Sequence, residues 1–473
     1  MSRARGFGKK MVKARVVLVL LIFTFVALAP SGASPMSLSD EDALGHKIIK
    51  LIRKAEPFVD DGDILTYVNE VGQRLVNQVG VTPYRFRFFV IDESVPNAFA
   101  VPGGNIFIYR GIIEMMSSED ELASILGHEC GHIMARHFQR SIDEAKITSI
   151  GMLAGMIAGI FLGAPGLAAG GMAAGESATL KYSREHEMEA DLRGFGYLCK
   201  AGYNPEAMPA MMATLLHHTW LQSSNVPDYL ETHPATEERV LYLKELVKKE
   251  KASGHVVRHP PVGDFKVIQT ALIAGYGDEE NALARFREGI KKGDATAFYG
   301  LGRLYLREQK WRDAVVELRK AARLMPYDPF ILSTLAEACR KTGKLQEAKS
   351  ILESALAIDP SSAIARYRLA LVLMDMGKKH EAIENLTRIE ELAPTFPDID
   401  YQLGVALGQT DKLGLAHFYL GCYYYHEDNS EAAISQFKMA KALIADSPSK
   451  LRKTEDYLSE LVPKKKKGFS LHL

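Results

Sequence analysis

The chain of 473 residues has room for two or three domains at the usual one to two hundred residues each. A composition of 47% hydrophobic and 25% charged residues excludes a wholly disordered or collagenous protein. Lys+Arg and Asp+Glu balance at 58 each, so no global basic field points to nucleic acid. The 4 cysteines form no C-x-x-C pair, which argues against a zinc ribbon or a thioredoxin-like site.

In chain order, Arg3, Arg5, Lys9, Lys10, Lys13 and Arg15 precede an uncharged run from Val16 to Ala29, then Pro30 and the small residues Ser31-Gly32-Ala33. This reads as a secretory signal over residues 1–33, cleaved to leave a chain that works outside the cytoplasm. The run is short for a membrane span, which needs about 20 residues, although a retained anchor is the alternative. An oxidising compartment allows a Cys339–Cys422 bridge.

Residues 37–250 mix periods and predict a first folded domain. Gly62 to Val79 carries Ile64, Leu65, Val68, Val71, Leu75 and Val76 on one stripe, the pattern of an amphipathic helix. Tyr84 to Ile91 alternates as a strand, and Ala98 to Tyr109 predicts a hairpin that closes at Pro102-Gly103-Gly104-Asn105. Ser118-x-x-Glu121 is a capping-box signature for a helix from Asp120 to about Arg140.

Inside that helix lies His128-Glu129-Cys130-Gly131-His132. Residues four apart share a helix face, so both imidazoles can reach one metal, and Glu129 sits where it can take a proton from water. Zinc needs a third protein ligand and an open fourth position for catalysis. A third His six residues after His132 is absent, since that position is Phe138; His137 is out of register and reads as a surface or cap residue. The best source of the third ligand is Ser183-Arg184-Glu185-His186-Glu187-Met188-Glu189-Ala190-Asp191, which opens a second helix running to about Lys200. There Glu187 and Asp191 share a face; Glu187 can bind metal while Asp191 accepts the second ring N–H of a liganding His. Glu185 and Glu189 point away and read as solvated charges.

Between the two helices, Ile147 to Gly163 is uncharged, with Gly151, Gly155, Gly159 and Gly163 at steps of four, a close-packing helix face. A single crossing would put His132 and Glu187 on opposite sides of a bilayer. A hairpin reaching Ala178 beside the site, either soluble or touching a membrane, fits better than a pair of spans, because its second piece is too short.

Residues 251–292 predict a linker and the first solenoid helices, and residues 293–460 repeat. Pro326, Pro360 and Pro394 are 34 residues apart, the tetratricopeptide period. On that frame Leu301-Gly302, Leu335-Ala336 and Leu369-Ala370 fall at the tight crossing, followed by Ala314, Ala348 and Ala382, then Leu318, Leu352 and Leu386. Tyr305, Cys339 and Leu373 take the large slot. A further unit matches at Leu420-Gly421, Tyr424, Ala433, Phe437 and Ala440; around Leu403-Gly404 only one helix fits before Gly414, a half-step irregularity. Such a solenoid presents a long surface to protein partners. The Lys464–Lys467 run in residues 461–473 reads as a solvated tail. The fold expected is an α+β zincin-like metalloprotease domain, mostly helical with a small sheet, followed by an all-α tetratricopeptide solenoid.

The pair His128-Glu129-Cys130-Gly131-His132 and Ser183-Arg184-x-x-Glu187-x-x-Ala190-Asp191 resembles the gluzincin family of CAAX prenyl proteases and bacterial heat-shock membrane proteases. The signal and the repeats narrow the likeness to its secreted branch, found in the Gram-negative periplasm. The resemblance implies one Zn2+ held by His128, His132 and Glu187, with Glu129 as general base. It also implies that Asn97, Ala98, Phe99 and Ala100, in Asn97-Ala98-Phe99-Ala100-Val101-Pro102-Gly103-Gly104, form an edge strand that pairs with extended substrate; the lesser alternative is an ordinary hairpin. Thr232-His233-Pro234 resembles a family loop whose His can occupy the fourth zinc position and hold the enzyme latent; otherwise His233 is a helix-start residue. Arg239 either stabilises a tetrahedral oxyanion or pairs with a carboxylate. The branch's partners would be protein substrates and the outer-membrane β-barrel assembly machinery or its clients, met through the repeats. The rival expectation is a scaffold or chaperone with structural zinc and marginal proteolysis; a prenyl-protein protease lacks a convincing set of spans.

Overall fold

The computed structural model describes residues 37–144, 183–221, 228–254, 258–392, 396, 399–427, 429–444 and 447–462. The expected signal, the Ile147–Ala178 hairpin and the Lys464–Lys467 run lie outside the described residues. The chain divides into two compact units, Met1–Leu272 and Ile273–Leu473. Among the described residues no helix is long and apolar enough to cross a membrane.

The first unit opens with α1 (Leu38–Ala55) and α2 (Gly62–Val76). Asp61 starts α2 by accepting the backbone N–H of Asp63 and Ile64, and the apolar stripe read from the sequence is the face that α2 buries. Three strands follow: β1 (Arg87–Ile91), β2 (Ala98–Val101) and β3 (Asn105–Tyr109). Sheet order is β1-β3-β2, with β1 parallel to β3 and β2 antiparallel to it. The hairpin turns where expected, because Gly103 and Gly104 take φ of 81° and 82°, a region open to glycine without Cβ strain. That topology leaves β2 on a sheet edge. Behind the sheet, Phe107 stacks on Phe89 at 4.9 Å and on Phe99 at 5.0 Å, and Ile48 and Ile52 of α1 close the same cluster.

After α3 (Arg110–Met115) comes α4 (Glu119–Met134). Its capping box forms with a small offset: the Ser118 hydroxyl accepts the Glu121 N–H, and the Glu121 carboxylate accepts the N–H of Ser117. The continuous helix expected to Arg140 is broken. Arg136 adopts φ of 54°, and α5 (His137–Glu144) starts in a new direction. Such a left-handed turn at a non-glycine costs on the order of 1–3 kcal/mol. The Arg136 guanidinium is tied to Glu41 on the far side of that turn.

Ser183 caps α6 (Arg184–Lys200), which crosses α4 at glycines. A Cβ on Gly131 would stand 2.6 Å from the Ala190 carbonyl oxygen, and one on Gly194 would stand 2.8 Å from the Gly127 backbone. The unit continues with α7 (Ala207–Leu221), α8 (Asp228–Thr232) and α9 (Glu237–Ser253). Thr236 caps α9 by accepting the Arg239 N–H, and Gly254 ends it in the left-handed conformation. The linker expected from Lys251 therefore begins later than the sequence suggested, since α9 runs to Ser253. The units divide within α10 (Phe265–Tyr276).

The second unit continues through α11 (Glu279–Lys291) into helix pairs: α12 (Ala295–Arg307) with α13 (Trp311–Leu324), α14 (Pro329–Lys341) with α15 (Leu345–Ile358), and α16 (Ala363–Asp375) with α17 (Lys379–Leu392). The pairs start at residues 295, 329 and 363, the 34-residue step read from the prolines. Ala314, Ala348 and Ala382 are fully buried, as the pattern requires. The half-step is also present: one helix, α18 (Ile399–Gly408), precedes α19 (Leu413–His426), α20 (Ser430–Leu443) and α21 (Pro448–Leu461). A Cβ on Gly404 would meet Leu420, and one on Gly421 would meet Phe437. Thus α19 is the second helix for α18 and the first for α20, which absorbs the break in period without interrupting the stack. All four cysteines are free thiols, so the conceivable Cys339–Cys422 bridge is not made.

Candidate metal centre

The close crossing of α4 and α6 brings the two sequence motifs together. His128 and His132 face one another on successive turns of α4, with Nε2 atoms 3.0 Å apart. Glu187, in the first turn of α6, places Oε1 3.3 Å from His132 Nε2 and Oε2 3.5 Å from His128 Nε2. His233, just past α8, brings Nδ1 to 2.9 Å from Glu187 Oε1 and 3.4 Å from His128 Nε2. One atom from each of the four side chains lies within 4.8 Å of all the others, and all four residues are buried.

These separations suit a metal. Four ligands at the usual zinc distances of about 2.0–2.1 Å stand about 3.3 Å apart at tetrahedral corners. Imidazole nitrogens and a carboxylate that converge so closely share one electrostatic demand, a cation between them. Among the described residues, Glu187 and Asp191 pair with Arg239, the one guanidinium of the cluster, and the buried Glu129 adds a third carboxylate, so the donor set fits a divalent ion. Burial raises the Glu187 carboxyl, but the charge of His233 and hydrogen bonds from the three imidazoles outweigh it and hold the group well below the usual carboxylate range.

Asp191 lies one turn after Glu187 and takes the place expected of it. Its Oδ1 is 2.8 Å from His128 Nδ1, which fixes that ring with Nε2 towards the centre. Arg239 clamps Asp191 through two bonds of 2.8 Å, from Nε to Oδ2 and from Nη2 to Oδ1, and the Tyr242 hydroxyl also donates to Oδ2. Burial opposes ionisation of Asp191, but His128 and Arg239 prevail and set its carboxyl at about 2. Arg239 also donates from Nη1 to Pro234 O at 2.9 Å and lies 2.7 Å from Glu187 Oε2. Of the two roles open for Arg239, pairing with carboxylates is the one this arrangement displays.

Glu129 is fully buried beside the cluster, and neither carboxylate oxygen accepts a hydrogen bond. Its Oε1 is 3.9 Å from His233 Nε2. Burial raises its proton affinity above that of an ordinary glutamate. The Tyr229 ring stacks on His233 at 4.8 Å, fixing the plane of that imidazole.

Asn97 and Ala98, Phe99 and Ala100 of β2 are all buried, on the sheet edge rather than among the converging ligands. The far end of this stretch does approach them: Ala100, Val101 and Gly103 line a cleft together with His132, Ile133 and Phe138.

Two expectations are corrected. His137 is fully buried, not a surface residue: its Nδ1 lies 2.9 Å from His132 Nδ1. Glu189 is only partly a solvated charge: with its side chain 31% exposed, it is also the hub of an ion-pair cluster with Arg140, Arg193 and His137. Tyr242 carried no sequence signal, since nothing in its spacing relates it to Asp191; Tyr229 lies four residues before His233, a one-turn spacing that the sequence reading passed over.

The sequence profile of Peptidase family M48 matches residues 65–247, and a tetratricopeptide repeat profile matches residues 340–407. The chain is 25% identical over 376 residues to the beta-barrel assembly-enhancing protease of Escherichia coli (strain K12), covering 77% of this chain and 76% of that protein. It is 30% identical over 318 residues to a putative beta-barrel assembly-enhancing protease of Vibrio cholerae, covering 65% of each. A mitochondrial metalloendopeptidase OMA1 of Schizosaccharomyces pombe is 28% identical over 211 residues, 43% of this chain and 60% of that one. Residues 65–247 are thus similar to peptidase family M48, and the chain is a zinc metalloendopeptidase that carries a tetratricopeptide array.

Proposed function

We propose that the protein is a periplasmic endopeptidase acting on proteins in outer-membrane protein assembly and quality control, with His128, His132 and Glu187 as its zinc ligands and Glu129 as its general base. The observation that carries the catalytic reading is Glu129, a fully buried carboxylate without a hydrogen bond beside the ligand cluster. Zinc at this centre supplies Lewis-acid polarisation of a scissile carbonyl and of the attacking water. Glu129 accepts the proton of that water and passes it to the leaving amine. Its raised proton affinity suits both halves of that transfer. Asp191, held by Arg239 and Tyr242, keeps His128 in the liganding tautomer. The backbone of Asn97–Ala100 on the sheet edge pairs with an extended substrate strand.

His233 completes a set of four protein ligands, and a catalytic zinc site keeps one position open. On this reading His233 takes the substrate's position and keeps the enzyme latent, which the convergence of the four side chains supports. The repeats bring protein clients or an assembly complex to the protease unit. The names of the relatives support the part of this reading that concerns β-barrel assembly.

The four-ligand set also favours a second reading, a structural zinc in a scaffold whose repeats do the work. Glu129 separates the two, because a structural site has no use for a buried, unbonded carboxylate. The test is zinc content and cleavage of casein and of a misfolded barrel protein by the parent, Glu129→Gln and His233→Ala. The enzyme reading expects one zinc in each, no cleavage by Glu129→Gln, and faster cleavage by His233→Ala. Zinc in all three with no cleavage by any supports the scaffold.

A further inference from the structure

We propose that His137 is a positioning residue for the metal ligand His132, and that Glu189 anchors it to the Arg140–Arg193 cluster. The inference rests on the assignment of His132 as a zinc ligand. His132 turns Nε2 towards the centre, 3.0 Å from His128 and 3.3 Å from Glu187. When Nε2 gives its lone pair to a metal, the ring proton sits on Nδ1, on the opposite side. The Nδ1 of His137 is 2.9 Å away and accepts that N–H. The proton of His137 is then on Nε2, which faces Glu189 Oε2 at 3.3 Å. Glu189 is itself held, by Arg140 Nη1 at 2.8 Å on Oε2 and by Arg193 on Oε1 at 2.8 and 3.1 Å. The His186 ring stacks on His137 at 4.4 Å and fixes its plane.

Each ring donor in this relay faces an acceptor, and only one pair of tautomers satisfies it: Nδ1–H on His132 and Nε2–H on His137. The relay is thus the counterpart of Asp191 on His128, with a neutral imidazole in place of a carboxylate. It exists because of the turn at Arg136. On a continuous helix, residue 137 would project about 140° away from residue 132.

The test measures zinc affinity by competition with a chromophoric chelator, peptide cleavage at saturating zinc, and the thermal midpoint of the zinc-free protein. His137→Leu should weaken zinc binding about 10- to 100-fold, the usual effect of losing a ligand's hydrogen-bond partner. His137→Asn, whose carboxamide oxygen can stand where Nδ1 stood but which loses the Glu189 contact, should bind zinc at least about threefold more tightly than His137→Leu and more weakly than the parent. Glu189→Ala, a change at a half-exposed site, should weaken binding at least about threefold. A His137→Leu protein that folds and binds zinc within about twofold of the parent overturns the proposal. So does equal loss in Leu and Asn, which would mean packing alone. If His137→Leu does not fold, unchanged affinity in Glu189→Ala overturns it. His132→Ala is the control for the underlying reading: parent-like zinc binding there refutes the ligand assignment itself.

Discussion

At the residue scale, a buried carboxylate behaves according to what surrounds it. Asp191 and Glu129 are both fully buried, yet Asp191 is held at about 2 by His128 and Arg239 whereas burial raises Glu129. The first stays charged and orients a ring; the second holds a proton more readily, as the proposed role of general base requires. Asp191→Asn keeps the shape but loses the charge that favours the liganding tautomer of His128 and pairs with Arg239. Zinc affinity in chelator competition should fall about 10- to 100-fold, the usual cost of losing such a partner. Glu129→Gln should leave zinc affinity within about threefold while removing cleavage, since Glu129 is not among the four converging ligands.

At the scale of elements, the centre depends on how closely α4 and α6 approach. Gly131 meets the backbone of Ala190, which cannot rotate away as a side-chain tip would. Gly131→Ala gains about 1 kcal/mol of helix propensity but loses about 1–3 kcal/mol to overpacking against that carbonyl, and the second effect prevails. Denaturant unfolding should show a net loss, with weaker zinc binding because Glu187 moves away from His128 and His132. Gly196 lies on the same helix as Ala190, and a Cβ there would have nothing within 4 Å, so Gly196→Ala should gain about 0.5–1 kcal/mol instead. The edge strand invites a third substitution. Ala100 lines the cleft shared with His132, so Ala100→Trp should fill it, reducing cleavage of protein substrates while zinc content stays at the parent level.

At the scale of the whole molecule, the metal and the repeats belong to separate compact units, the four converging ligands falling before Leu272 and the helix pairs after Ile273. A ligand that binds only the folded state stabilises it by mass action. Removing zinc with a chelator should therefore raise amide exchange in α4 and α6, where the ligands sit, and leave the protection of α12 to α17 unchanged. Hydrogen-exchange mass spectrometry reads both regions in one experiment.

Much of this molecule is written in local periodicity. The step of 34 residues, the small residues at Ala314, Ala348 and Ala382, and the capping signal at Ser118 each act within one or two helices, so they were legible from the residues alone. The same holds for His128 and His132, whose spacing on one helix determines that they share a face. The pairing of Glu187 with them came from motif chemistry, and the glycine crossing of α4 and α6 is what realises it. Tertiary structure alone decided the rest. His137 reached His132 only because Arg136 takes a left-handed turn, and Glu189 became a hub only when α5 laid Arg140 beside it. Tyr242 entered through α9, far along the chain from the Asp191 carboxylate it touches, whereas Tyr229 lies one helical turn before the His233 ring and reached the centre with it. A sequence period records which residues lie on one face of one element; what lies across from that face is fixed when separate elements pack.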